Sequence, residues 1–198
     1  MEAHREEDAY LEPGAWQPRN LWTAARMLAG SATFFFISFV FAYFYLRSLD
    51  LNKDWKIGHV SPPMGLGIAI IVVLVLSAVA LRVAARDALA SLPLAALALV
   101  LALVGIGLQA YEWSVLGFGP SSGAYASVFV GWTITYAVFG LFCVYWIETQ
   151  VATIWRAQRE GAGPYGEALL SAGLRSCAFF WSFYAGTGVV MFVILYLI

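Results

Sequence analysis

QAYEWSVLGFGPSSGAYASVFVGWTITYAVFG, residues 109–140, is the stretch around which the chain is organised. It joins two long apolar segments through a short, uncharged turn of glycine, proline and serine, and so reads as a hairpin. A carboxamide, a phenol, a carboxylate and an indole (Gln109, Tyr111, Glu112, Trp113) stand where the first segment should leave a bilayer.

The composition outside the hairpin has the same character. The 198 residues are 62% hydrophobic and only 12% charged, with a mean hydropathy of +0.78. A soluble domain of this size shows a more charged surface. The charges are clustered, and the apolar windows between them reach the roughly 20 residues that a membrane crossing needs. Five windows qualify: 27–46, 64–83, 90–113, 124–147 and 177–198. Helices are the expected form, because open strands leave backbone groups unpaired in hydrocarbon and the alternation of a barrel is missing. The fold class expected is therefore all-α: an integral membrane bundle of five transmembrane helices over residues 21–198, behind a cytoplasmic tail of residues 1–20. The tail is acidic (MEAHREEDAYLEPG) and lacks the basic-then-apolar order of a signal peptide. No internal repeat and no second domain is visible.

Basic residues give the orientation. With the N-terminus inside, the cytosolic side collects Arg5, Arg19, Arg26, Arg82, Arg86, Arg156, Arg159 and Arg175, and the other side holds only Arg47, Lys53 and Lys56. Because basic loops stay in the cytosol, eight against three places the N-terminus in the cytosol and Ile198 outside. The second and third spans are joined by RVAARDALASLP, a cytosolic turn; Pro62 and Pro63 set the start of span two. Residues 157–176 read as the longest internal loop, with Gly161, Gly163 and Gly166 as its flexible points.

The polar residues exclude more than they assign. The net charge of -1 points to no acidic or nucleic-acid partner. The only histidines, His4 and His59, lie outside the spans, so the chain supplies neither two axial haem ligands nor a His cluster for copper or zinc. Cys143 and Cys177 fall within spans and read as small buried hydrophobes. There is no phosphate loop, CxxC pair, nucleophile elbow or pair of carboxylates within a span. Glu112 is the deepest carboxylate. It is either a functional acid at membrane depth or a headgroup-level residue capped by water and bonded to Gln109. Glu148 reads as an interfacial anchor. Trp16, Trp22, Trp55, Trp113, Trp146 and Trp155 fit an aromatic belt, whereas Trp132 and Trp181 lie within spans as packing residues or contacts to another subunit. Gly186 and Gly188 open a close-packing notch in the last span.

A first span ending FAYFYLR, a third ending QAYEW and a short loop into GAYASVF resemble subunit III of the haem–copper cytochrome c oxidases, in its five-helix bacterial form. The resemblance covers residues 21–198, with the ILYL ending as further support. Three polar signatures of the family are replaced. Its buried Ser-Glu reads Ser31-Ala32, its two histidines in the fourth span read Thr133 and Tyr136, and its Trp-His in the last span reads Trp181-Ser182.

The resemblance implies an accessory, non-redox subunit of a proton-pumping cytochrome c oxidase in a bacterial inner membrane. Such a chain packs against subunit I, with subunit II in the same complex, and binds phospholipid between its helices. It supports proton uptake and protects the catalytic subunit. Haem and copper belong to the partner subunits, with none expected here. The replaced residues imply that any proton-linked role of those positions is lost. A structural or assembly subunit of a related respiratory complex is the alternative. A stand-alone small transporter is a third reading, disfavoured because no repeat or broken midplane helix is present. Arg26, Arg82, Arg86 and Arg156, with Trp22, are the candidate lipid contacts, since guanidinium suits phosphate. Gln109, Tyr111, Glu112, Trp113, Trp132 and Trp181 are the candidate interface and structural residues.

Overall fold

The computed structural model describes residues 17–50, 55–56, 60–161 and 166–198. Among them are five helices long and apolar enough to cross a membrane, and no strand. They are α1 (Gln17–Ser48), α2 (Met64–Ala84), α3 (Leu92–Val115), α4 (Ala124–Glu160) and α5 (Gly166–Phe192). A single 3-10 turn, Pro120–Ser122, makes the α3–α4 hairpin, and a π-turn, Val193–Leu197, closes the last helix. Their outward surface is apolar, with Phe34, Phe41, Phe142 and Met27 each about 70% or more exposed (79%, 69%, 71% and 70%). Water would not tolerate so continuous an apolar coat, and the chain reads as a multi-pass membrane protein.

Local chemistry sets most helix ends. Pro63 caps α2 and Pro93 stands in the first turn of α3, where a missing N–H costs nothing. Gly123 (φ 128°) and Gly161 (φ 85°) bracket α4 in a backbone region that side chains disfavour. Residues 1–16, most of the expected tail, lie outside the described residues, but residues 17–20 belong to α1.

Two expectations are corrected. The loop expected over residues 157–176 is helix for most of its length, and the last helix starts at Gly166 instead of residue 177. α4 likewise runs to Glu160, not residue 147. Hydropathy fails at Glu148 and Arg156, yet the backbone continues because one stripe stays apolar: Ile154 and Ala157 on α4 and Leu170 and Leu174 on α5 are buried. The two helices approach closely there, since a Cβ on Gly173 would stand 2.7 Å from Gln150 Oε1.

α4 and α5 form the centre. α1 packs on both, α2 packs on α5 and α3, and α3 packs on α2 and α4. Small residues let α2 and α3 come together: Ala95, Ala98 and Ala102 are fully buried, and a Cβ on Gly105 would meet Leu74 Cδ2 at 2.6 Å. The Ser77 hydroxyl pins three helices at one point. It donates to Ala98 O at 2.7 Å and accepts from Trp181 Nε1 at 2.9 Å. Trp181→Phe should therefore cost at least about 0.6 kcal/mol, the typical worth of an interhelical bond in a membrane protein. Equal unfolding midpoints of variant and parent in mild detergent would remove that bond from the account.

α4 and α5 are locked by a reciprocal pair. Tyr136 and Tyr184 stack at 4.1 Å and 9°. Tyr136 Oη donates to Tyr184 O at 3.0 Å, and Tyr184 Oη donates to Tyr136 O at 2.9 Å. Each hydroxyl lies on a glycine one turn along: Tyr184 Oη over Gly140, Tyr136 Oη over Gly188. The Gly188 notch seen in the sequence is thus filled by a tyrosine, whereas Gly186 has open space where its Cβ would be.

Candidate functional site

At the hairpin end of the bundle, Glu112 is fully buried. Its Oε2 accepts from Gln109 Nε2 at 3.2 Å, and its Oε1 accepts a short bond from Tyr196 Oη. The bond to Gln109 is the one the i, i+3 spacing suggests. The second donor to the carboxylate is Tyr196, in the π-turn that follows α5. Gln109 Oε1 is buried without a partner.

The last turn is tied down by two further bonds. Tyr125 Oη donates to Leu195 O at 2.5 Å, and Arg47 Nη1 donates to Ile198 O at 3.0 Å. A π-turn turns its carbonyls off the i→i−4 ladder, and Tyr125 takes one of them. The carboxylate therefore belongs to a clasp that fastens the end of α5 to α3 and α4. Beside it Trp55, edge-on to Tyr43 at 5.2 Å and to Tyr125 at 5.9 Å, closes the same end. Lys56 lies 4.5 Å from the centre of the Tyr125 ring, and burial, then the Arg47 charge, pushes its amine below the usual lysine range.

The other expected cluster members go elsewhere. Tyr111 is 56% exposed and faces outward. Trp113 donates its Nε1 to Thr133 Oγ1 at 3.1 Å, bridging α3 and α4. Trp132 is fully buried, stacked on Phe39 at 5.7 Å, and its Nε1 has no partner. Trp132 and Trp181 are both interior to this chain, so neither is available to another subunit.

The positions where the resembled family carries ionisable groups are packed or capped. Ala32 is buried midway along α1, Thr133 receives Trp113, and Tyr136 holds the tyrosine lock. Ser182 accepts from Arg82 Nε at 2.6 Å.

At the opposite end, Arg19, Arg82, Arg86 and Arg175 converge on a groove of about 670 Å³ between α1, α2 and α5. Trp22 forms part of its wall, edge-on to Phe179 at 5.1 Å. Among the described residues, no carboxylate lines it. Among the described residues, the guanidiniums of Arg19, Arg86 and Arg175 make no hydrogen bond or ion pair. The sequence pointed to Arg82, Arg86 and Trp22. Arg19 and Arg175 join them because α1 and α5 begin below the apolar windows. Arg26 lies outside the groove, 4.8 Å from the centre of the Trp22 ring, and Arg156 is exposed on α4 with Nε 3.4 Å from Ala152 O. Such a groove can bind a carboxylate or phosphate anion.

Sequence reasoning passed over Tyr196, Tyr184 and Ser182 as partners. Tyr196 had a trace in the ILYL ending, but nothing in a linear chain pairs residue 196 with residue 112. Among the described residues no three His, Cys, Asp or Glu side chains gather, and Cys143 and Cys177 are buried free thiols. Comparison with protein-family models and with curated proteins finds no match for the chain.

Proposed function

We propose that the chain is an accessory, non-redox subunit of a haem–copper terminal oxidase, of the subunit III kind, in a bacterial inner membrane. The observation that carries the reading is the hairpin QAYEW…GAYASVF with five helices around it. Its support is that the most specific residues of that stretch hold the bundle together, Gln109 and Glu112 through Tyr196, and Trp113 through Thr133. The N-terminus and the arginine end face the cytosol in this reading, as the excess of basic residues there requires. Subunits I and II supply the haem and copper, since this chain has histidine only at His4 and His59. Exposed Arg26 and Arg156 meet lipid phosphates at the inner face. Oxygen reduction, cytochrome c oxidation and proton pumping belong to the complex.

A structural or assembly role in a related respiratory complex is the second reading. It is favoured by Thr133, Tyr136 and Ser182, which spend their polar atoms on contacts within the chain.

A mild-detergent pull-down of the chain from its native membrane, with mass spectrometry and an optical spectrum of the eluate, tests both. Haem absorbance with a co-eluting large haem–copper subunit is the expected result. A respiratory complex without such a subunit selects the second reading, and a colourless single component overturns both.

A further inference from the structure

Within the clasp, Gln109 has one hydrogen bond too few. It is 2% exposed, and its Nε2 donates to Glu112, while its Oε1 is buried without a partner among the described residues. An oxygen left in that state is costly, and native interiors rarely tolerate it. Turning the amide over does not help. Its oxygen would then face the carboxylate and its NH₂ would be left over, so one amide atom is unpaired either way. The same side chain lines a cavity of about 10 Å³ between α2, α3 and the end of α5 with its π-turn, among Gly67, Ile70, Ile71, Met191 and Tyr196. We propose that this cavity is the binding site of an ordered water, which donates one hydrogen to Gln109 Oε1 and the other to Tyr196 Oη.

Size and chemistry both select water. A cavity of this volume has room for a single water and nothing larger. Room alone is not enough, because apolar cavities stay dry, and the unpaired oxygen is what makes this one wet. Its two polar lining residues already meet on one carboxylate, Gln109 on Glu112 Oε2 and Tyr196 on Oε1. Tyr196 Oη spends its hydrogen on Glu112, so its oxygen is free to accept another. The water closes a ring that runs from Glu112 through Gln109, water and Tyr196 back to Glu112, with an acceptor for every hydrogen. Bonds joined in this way strengthen one another. A small cation fits poorly, because the remaining wall is apolar and cannot replace its hydration shell. An anion would be repelled by the Glu112 carboxylate. The site extends the clasp to α2, whose Gly67 lies so near that a Cβ there would meet Tyr196 Cε1 at 2.6 Å. It stands apart from the oxidase reading and requires only the described bundle.

Met191 reads out the site, because it lines the cavity and is only 2% exposed. A short X-ray pulse turns a bound water into a hydroxyl radical that oxidises the nearest susceptible side chain, whereas radicals from bulk water reach exposed side chains. Cys143 and Cys177 are the internal reference. They are equally buried, their thiols oxidise at least as readily as a thioether, and neither lines this cavity. In the full chain in phosphatidylcholine nanodiscs, the pulse should oxidise Met191 at least about fivefold faster than either cysteine. Gln109→Leu keeps the bulk and removes the acceptor, and should lower the Met191 rate at least about fivefold. Hydrogen peroxide added from outside should modify the exposed Met64 and leave Met191 untouched. A Met191 rate no higher than that of the cysteines overturns the proposal. So does a rate unchanged in Gln109→Leu, or peroxide that reaches Met191 in the parent chain as readily as Met64. If Gln109→Leu loosens the bundle, peroxide will attack its Met191, and the comparison with the cysteines in the parent chain then decides alone.

Discussion

Gly140→Ala and Gly188→Ala should each lower the stability of the bundle by about 2 kcal/mol, the middle of the range for overfilling a packed core. In an exposed helix the same change stabilises by up to about 1 kcal/mol. The sign reverses here because of what the new methyl meets. At Gly140 it would run into Tyr184 Oη and, at 2.6 Å, Ile106 Cδ1; at Gly188 it would run into Tyr136 Oη. A flexible side chain could withdraw, but these rings are stacked on each other and each hydroxyl is bonded to the opposite helix. Retreat of either one breaks the stack and a bond together. Tyr136→Phe keeps the stack and loses one bond, so it should cost only about 0.6 kcal/mol, a typical interhelical hydrogen bond in a membrane bundle. The double glycine variant should cost less than the sum of the singles, since opening the stack once relieves both clashes. Gly107 and Gly131, which have open space around a Cβ, are the controls and should be neutral or slightly stabilised by alanine. Unfolding midpoints in mild detergent decide it. If Gly140→Ala matches Gly131→Ala, the tyrosine lock does not hold α4 to α5.

Glu112→Ala should cost about 3 kcal/mol and act mainly on the last turn. Truncation leaves the buried Gln109 Nε2 and the partly buried Tyr196 Oη without an acceptor, at roughly 1–3 kcal/mol for the first and the lower end of that range for the second. Glu112→Gln should cost about 1 kcal/mol or less, because the new amide oxygen still accepts from Tyr196. Its NH₂ can donate to Gln109 Oε1, which has no partner, after Gln109 rotates its amide. The expected order is Ala far worse than Gln, with Tyr196→Phe in between and Glu112→Ala/Tyr196→Phe milder than the sum. Hydrogen exchange locates the effect: amides of Val193–Leu197 should exchange at least about tenfold faster in Glu112→Ala, with α2 unchanged. In the native complex, the proposed function has this variant reduce recovery of the partner subunits more than turnover per assembled complex. Normal assembly with slowed turnover would show that the carboxylate serves chemistry instead of the clasp.

Much of this architecture is legible along the chain because the bilayer imposes a one-dimensional rule. A span must be long and apolar, and the five spans follow from residue type alone. Proline and glycine mark several ends just as directly, with Pro63 before α2, and Gly119, Pro120 and Gly123 in the hairpin. The rule fails where α4 and α5 leave the apolar windows. Beyond Glu148 and before Cys177 the chain is polar on average, and only the buried stripe of Ile154, Leu170 and Leu174 keeps it helical. An average over a window cannot see a stripe whose partner is another helix.

The polar residues divide in the same way. That Glu112 is the deepest acid and Gln109 its neighbour one turn earlier is fixed by local spacing, and so is the count of arginines at one end. Which hydroxyl covers the carboxylate, which glycines receive the tyrosines and which four arginines share a groove are settled by helices brought together from distant parts of the chain. The physical reason is that hydrophobicity and helix-end chemistry are properties of single residues and their near neighbours. A hydrogen bond, a stack or a shared charge field needs two side chains at one point in space, and only the packing of the helices against one another creates those points.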